Sequence, residues 1–167
     1  THIDGVRIAV VKKGETPAEV AAASVRKVDP NRPMVALSFD DGPSKYDAQI
    51  LSALEANGGR ATFFMVGNLV ARHQKNVQRM AADGMELGNH SWAHENLAKL
   101  SGPAVQESIQ KTNRAIREAT GQSATLVRPP YGSLGGKARP TLAAMGYSAT
   151  LWDIDTLDWK TKNADNT

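Results

Sequence analysis

No cysteine occurs among the 167 residues, so no disulfide braces the fold and no thiolate is available to a metal, which leaves His, Asp and Glu as ligands. Long hydrophobic runs are also missing: none approaches the roughly 20 residues that cross a bilayer, and no membrane span is expected. The N-terminus lacks the charged, apolar and small-residue succession of a signal peptide. Charge of one sign is scarce, with 20 Lys and Arg against 17 Asp and Glu and a net charge of +3. The basic residues are interleaved with acidic ones, which argues against the basic stripe that nucleic-acid backbones require. Neither an internal repeat, nor a low-complexity segment, nor a linker that would divide two domains is visible, so one domain is expected.

What is present changes character at Met34. In residues 1–33, Val6 to Val11 reads as a short strand and Thr16 to Lys27 as an Ala-rich helix, with Pro30 and Pro33 interrupting any regular element after it. This part reads as an N-terminal extension or the end of a linker, and residues 34–167 as the main domain. From Met34 onward, short apolar runs alternate with amphipathic stretches, the pattern of an α/β fold with a parallel sheet. Strands are expected at Val35 to Phe39, Ala61 to Val66, Met85 to Gly88, Thr125 to Arg128 and Ala149 to Ile154, each apolar enough to be buried on both faces. Helices are expected at Tyr46 to Ala56, Leu69 to Asp83, Ala104 to Thr120 and Lys137 to Met145, with Gly58, Gly84, Gly121 and Gly146 placed as left-handed caps.

In β/α units the chemistry sits where strands end, at the C-terminal edge of the sheet. The polar clusters obey that rule. The expected strands run into Asp40-Asp41-Gly42-Pro43, Asn89-His90-Ser91-Trp92-Ala93-His94, Arg128-Pro129-Pro130-Tyr131-Gly132 and Asp153 to Trp159. Singly, each has an ordinary explanation. Asp-Asp-Gly-Pro is a good turn and helix cap; two histidines four residues apart can reach one metal, but they also occur on solvated helix faces; an arginine beside two prolines is commonly a surface residue. His2 and His73 read as exposed and are assigned no function.

Together the clusters are far more specific. Ser-Phe-Asp-Asp-Gly-Pro, His-Ser-Trp-Ala-His, Arg-Pro-Pro-Tyr-Gly and Asp-Thr-Leu-Asp-Trp, in that order, resemble the first four motifs of the polysaccharide deacetylases with a NodB homology domain, carbohydrate esterase family 4. The segment Ala61 to Gly67 resembles that family's second strand, and the resemblance runs from about Met34 to about Lys160. It implies a distorted (β/α) barrel and a metal-dependent hydrolase that removes N-acetyl groups from amino-sugar polymers. By the same resemblance Asp41, His90 and His94 hold one divalent cation, zinc by first choice, with cobalt or nickel suited to the same donors.

Asp40 is implied as the catalytic base and Arg128 as the cation that keeps it ionised and oriented. Because adjacent strand residues point to opposite faces, using both Asp40 and Asp41 at one site requires the chain to bend at Asp-Gly-Pro. The Tyr131 backbone N–H is implied as an oxyanion donor, with its ring flanking the sugar. Trp159 is implied as a wall of the acetyl pocket, its ordinary alternative being core packing. Asp158 is implied as partner of a catalytic-acid histidine, whereas Asp155 reads as structural. The family's fifth motif, a Leu-x-His segment bearing that acid, has no counterpart after Trp159.

The last barrel strands are accordingly expected on a separate C-terminal fragment associated with this chain. The substrate expected is a glycan, peptidoglycan N-acetylglucosamine before chitin oligosaccharides, and the location extracellular or at a bacterial cell wall. An acetylxylan esterase, or a catalytically weak glycan-binding module if the acid is truly absent, are the competing readings.

Overall fold

The computed structural model describes residues 35–162; the strand and helix expected before Met34 lie outside them. Four parallel strands, β1 (Leu37–Gly42), β2 (Ala61–Met65), β3 (Glu86–Asn89) and β4 (Leu126–Val127), form one sheet in the order β1-β2-β3-β4. Helices Asp47–Ala56, Gln74–Ala82, Gly102–Thr120 and Ala138–Ala144 carry the chain between or beyond the strands, as parallel pairing requires. The α/β reading of the sequence is therefore the observed one.

The strand alternation sorts side chains onto two faces. On one face Phe63, Met65 and Leu87 pack with Leu51, Leu54, Val77, Met80 and Ile116 from the helices. Burying a side chain of this size contributes about 1.5–3 kcal/mol. A second cluster, Leu97, Val105, Ile109, Val127, Ala138 and Leu142, holds helices Gly102–Thr120 and Ala138–Ala144 near β4. The opposite face of β2 carries Phe64, which pairs in register with Gly88 of β3. Gly88 is obligatory there, because a Cβ on it would run into the Phe64 ring.

Several boundaries differ from the sequence expectation. β1 begins at Leu37 rather than Val35 and continues through both aspartates to Gly42. It is not buried on both faces: Leu37 is exposed, because no described strand pairs with its outer side. The helix expected over Leu69 to Asp83 is divided into Gly67–Val70, a tighter turn at Ala71–His73, and Gln74–Ala82. Helix Gly102–Thr120 starts two residues before Ala104, since Ser101 caps it and Pro103 is tolerated in the first turn. It stops at Gly121, whose φ of 75° lets its N–H reach the Arg117 carbonyl at 2.7 Å.

The fifth strand, expected over Ala149 to Ile154, is reduced to a bridge between Ala149 and Val127 and one bond from Thr150 N–H to the Val127 carbonyl, 2.8 Å. Beyond it Leu151, Trp152 and Ile154 are exposed. A strand needs a second partner or a covered face to persist, and among the described residues nothing lies beyond this one.

Candidate active site

The strand ends assemble a site at the C-terminal edge of the sheet. β1 reaches it through a bulge: Phe39 pairs with Phe63 and Gly42 with Met65, so Asp40 and Asp41 together stand opposite the single residue Phe64. Asp41 takes up the extra length with a φ of 65°. The bend required to bring two adjacent carboxylates to one site is thus a bulge within the strand, just ahead of Gly42-Pro43.

Asp41 turns toward the histidines. Its Oδ1 lies 3.3 Å from His90 Nε2 and 3.0 Å from His94 Nε2, and one ligand atom from each of the three falls within 4.8 Å of the others. The chemistry of these atoms tests whether they suit a cation. His90 is 2% exposed and its Nδ1 lies 2.7 Å from the Arg128 carbonyl. A carbonyl only accepts, so Nδ1 carries the hydrogen and a neutral His90 presents a lone pair at Nε2. That lone pair faces a carboxylate oxygen, an arrangement favourable only with positive charge between them. The donor set fits a divalent cation. When the imidazoles are instead protonated, a hydrogen bond from His90 holds the Asp41 carboxyl below its usual range; partial burial opposes this and the charges of His94 and His90 reinforce it.

Asp40 serves a different partner. Its Oδ1 accepts from Arg128 Nη1 at 2.7 Å. Arg128 is buried and uses four of its five N–H donors: Nη1 also donates to Ser38 Oγ at 2.8 Å, Nη2 to the Leu151 carbonyl at 3.1 Å and Nε to the Thr150 carbonyl at 3.3 Å. Its guanidinium lies 4.0 Å over the Phe64 ring and 5.7 Å from that of Trp152, contacts that suit a planar cation. Gly88 therefore matters to the site, since the ring it admits is the floor beneath Arg128.

Tyr131 occupies the left-handed region at φ 62° in the turn Pro130–Gly132. Its N–H donates no hydrogen bond among the described residues, and its hydroxyl lies 3.0 Å from His94 Nδ1. The Tyr131 and His94 rings meet edge to face at 4.7 Å. Asp41, Ser91, His94 and Tyr131 all have positive φ, a conformation costing on the order of 1 kcal/mol for each residue with a Cβ. Strain of this kind concentrates where function fixes the backbone.

The structure does not join the remaining expected residues to this cluster. Asp158 and Trp159 lie exposed on the short helix Asp158–Thr161, and Asp158 accepts from the Thr156 hydroxyl at 2.6 Å. Asp155 accepts from the Leu157 N–H at 2.9 Å, a local structural bond. Sequence reasoning assigned no role to Ser38, Phe64, Trp152, Asn89, Glu95 and Ser108, which the structure places in contact with Arg128 or with the histidine loop. The only available signal was the placement of Ser38, Phe64 and Asn89 in or beside strand ends.

Both the sequence and the fold are similar to those of known proteins. A family model described as polysaccharide deacetylase matches residues 27–150. The peptidoglycan-N-acetylmuramic acid deacetylase PdaC of Bacillus subtilis is 42% identical over 137 residues, covering 81% of this chain and 29% of that protein. The peptidoglycan-N-acetylglucosamine deacetylase PgdA of Listeria monocytogenes is 36% identical over 155 residues, covering 92% of this chain and 32% of its own length. The chain thus spans about a third of these relatives. The solved structure of the Bacillus subtilis peptidoglycan deacetylase PdaC superposes with a TM-score of 0.76 at 41% identity, over 83% of this chain and 68% of that one.

Proposed function

Since the chain belongs to the polysaccharide deacetylase family, we propose that it contributes the cation-binding and base-bearing half of a site that hydrolyses N-acetyl groups on amino-sugar polymers. The observation that carries this reading is the separation of two adjacent carboxylates, Asp41 toward two imidazoles and Asp40 toward a buried arginine. Metal-assisted amide hydrolysis needs that division, because one carboxylate must stay on the cation while the other exchanges protons.

Asp41, His90 and His94 would hold the cation, zinc before cobalt or nickel. When bound it would supply Lewis acidity to the acetyl carbonyl and to the attacking water. Asp40 removes a proton from that water, and Arg128 fixes the carboxylate in direction. The Tyr131 N–H, free and aimed by a rigid Pro-Pro turn, donates to the oxyanion that develops on the carbonyl. Collapse of the tetrahedral intermediate breaks the C–N bond, leaving acetate and an amine that must be protonated. No third imidazole contacts the site among the described residues, and we assign that proton donor, with Asp158 as its partner and Trp159 as an acetyl-pocket wall, to the site completed by a C-terminal fragment of the same protein.

The substrate favoured is peptidoglycan, and the site of action the bacterial cell wall, because the curated relatives are named for peptidoglycan. Acetate release from peptidoglycan, chitin oligomers and acetylated xylan, measured with and without added Zn²⁺, tests the reading. Zinc-dependent release from an N-acetylated glycan is expected. Faster release from xylan would replace it with an O-acetyl esterase.

A further inference from the structure

The loop that carries both histidines is held along its length by hydrogen bonds to neighbouring segments. His90 N–H reaches the Met65 carbonyl at 2.9 Å, and the Ser91 and Trp92 carbonyls accept from Gly67 and Asn68 at 3.0 and 2.9 Å. Ser91 N–H is taken by Asn89 Oδ1 at 2.9 Å, and Glu95 N–H by Ser91 Oγ at 3.1 Å. The other two amides between the histidines, those of Trp92 and Ala93, depend on a different device. Trp92 N–H donates to Ser108 Oγ at 2.8 Å, and Ala93 N–H to Glu95 Oε2 at 3.0 Å. Ser108 in turn donates its single hydrogen to the Glu95 carboxylate, 3.2 Å from Oε2 and 3.3 Å from Oε1.

We propose that Glu95 and Ser108 form a clamp that sets the backbone between His90 and His94, so that the cation affinity of the site depends on a carboxylate that does not touch the cation. The inference rests on the cation-binding reading of Asp41, His90 and His94. Its physical basis is the left-handed backbone at Ser91 and His94, φ 67° and 58°. That conformation opposes the local preference of residues with a Cβ, so something must hold it. Ser108 is buried on helix Gly102–Thr120, one turn from Val105 and Thr112 on the same packed face. It ties the loop to the core.

Glu95 also orients Ser108: without the carboxylate, the hydroxyl is free to rotate and its acceptor lone pair no longer faces Trp92. Glu95 and Ser108 are thus positioning residues. Groups that orient metal ligands typically change affinity by about 10- to 100-fold when removed.

The test is a competition titration of the 167-residue chain with Zn²⁺ against a chromophoric chelator, beside the melting temperature of the zinc-free protein. Glu95→Ala and Ser108→Ala are each expected to bind zinc about 10- to 100-fold more weakly than the parent. Glu95→Gln, which keeps one acceptor oxygen for Ala93 N–H, should recover most of the affinity, and the zinc-free melting temperatures should stay close to the parent's. Parent-like zinc affinity in Glu95→Ala and Ser108→Ala overturns the clamp and leaves the cation site standing. Affinity lost only in step with the zinc-free melting temperature, without rescue by Glu95→Gln, also overturns it, since general loosening then accounts for the loss. A parent chain that binds no zinc, matching His94→Ala, overturns the proposed function and the clamp with it.

Discussion

Asp40 and Asp41 are covalent neighbours with separate partners: the Oδ1 of one is 2.7 Å from Arg128 Nη1, and the Oδ1 of the other is 3.0 Å from His94 Nε2. The bulge between Phe39 and Gly42 produces this division. Substitutions at the two positions should therefore have distinguishable effects. Asp40→Asn preserves shape and leaves the cation ligands in place, so zinc binding is expected to persist. Turnover should fall by about 10²- to 10⁴-fold, the usual share of general base catalysis. Parallel zinc titration and acetate release check it, and activity retained in Asp40→Asn would remove Asp40 from the role of base.

Removing a ligand should give the opposite pattern. In His90→Ala or His94→Ala the cluster loses one of its three donors, and tight zinc binding is expected to disappear. A ligand present at 100 times its Kd stabilises a folded protein by about 2.7 kcal/mol. Added Zn²⁺ should accordingly raise the melting temperature of the parent and leave both variants unmoved. A zinc-induced rise of equal size in the variants would place the cation elsewhere.

The strand ends were legible because the apolar runs of a parallel sheet are short and each stops at a polar cluster. Phe63, Met65 and Leu87, buried in the core, and the caps at Gly58, Gly84, Gly121 and Gly146, all with positive φ, could be read from local pattern alone. The bend at Asp40-Asp41 was legible as a requirement, but its form as a bulge depends on pairing with β2. Glu95 and Ser108 were not legible, because their bond spans 13 residues and joins a loop to the buried face of a helix. The strand at Ala149 to Ile154 was misread for a related reason. Its apolar residues satisfy the local pattern, yet whether such a segment becomes a strand is decided by a neighbour, and Ala149 alone finds one.

Arg128 both binds the Asp40 carboxylate and braces the fold. Four acceptors and two aromatic rings converge on it, and lysine cannot reproduce a planar fork that serves them together. Arg128→Lys is expected to retain zinc binding, lower turnover at least tenfold and cost about 1–3 kcal/mol in chemical denaturation, the usual penalty for leaving buried acceptors unpaired. Parent-like turnover would show that Asp40 needs no guanidinium to act.

Tyr131 offers the site two separable groups, its backbone N–H and its hydroxyl. The proposed oxyanion role belongs to the N–H and would be insensitive to the ring substituent, whereas the hydroxyl lies 3.0 Å from His94 Nδ1, where it can orient that imidazole. Tyr131→Phe keeps the edge-to-face contact and the free N–H, so it should weaken zinc binding by a modest factor, below about tenfold, and leave turnover at saturating zinc close to the parent. Loss of turnover at saturating zinc would assign the hydroxyl itself to the reaction.

Gly88 provides a test of the site from beneath. Its lack of a side chain lets the Phe64 ring lie against the strand, and Arg128 rests on that ring at 4.0 Å. In Gly88→Ala the added methyl must displace the ring, because a Cβ there collides with the ring itself and not with the end of a flexible chain. Overpacking of this kind costs about 1–3 kcal/mol, and the displaced ring should move the guanidinium from the Ser38 and Asp40 oxygens. Gly88→Ala is thus expected to lower both stability and turnover while sparing zinc affinity, since the three proposed cation ligands sit on β1 and the loop after β3 and not on β2, which carries the ring. Pairing it with Phe64→Leu, which makes room for the methyl, should return part of the stability. Turnover should return only if an aromatic face is unnecessary beneath Arg128. Unchanged turnover in Gly88→Ala, with the expected loss of stability, would separate the packing of Phe64 from the placement of Arg128.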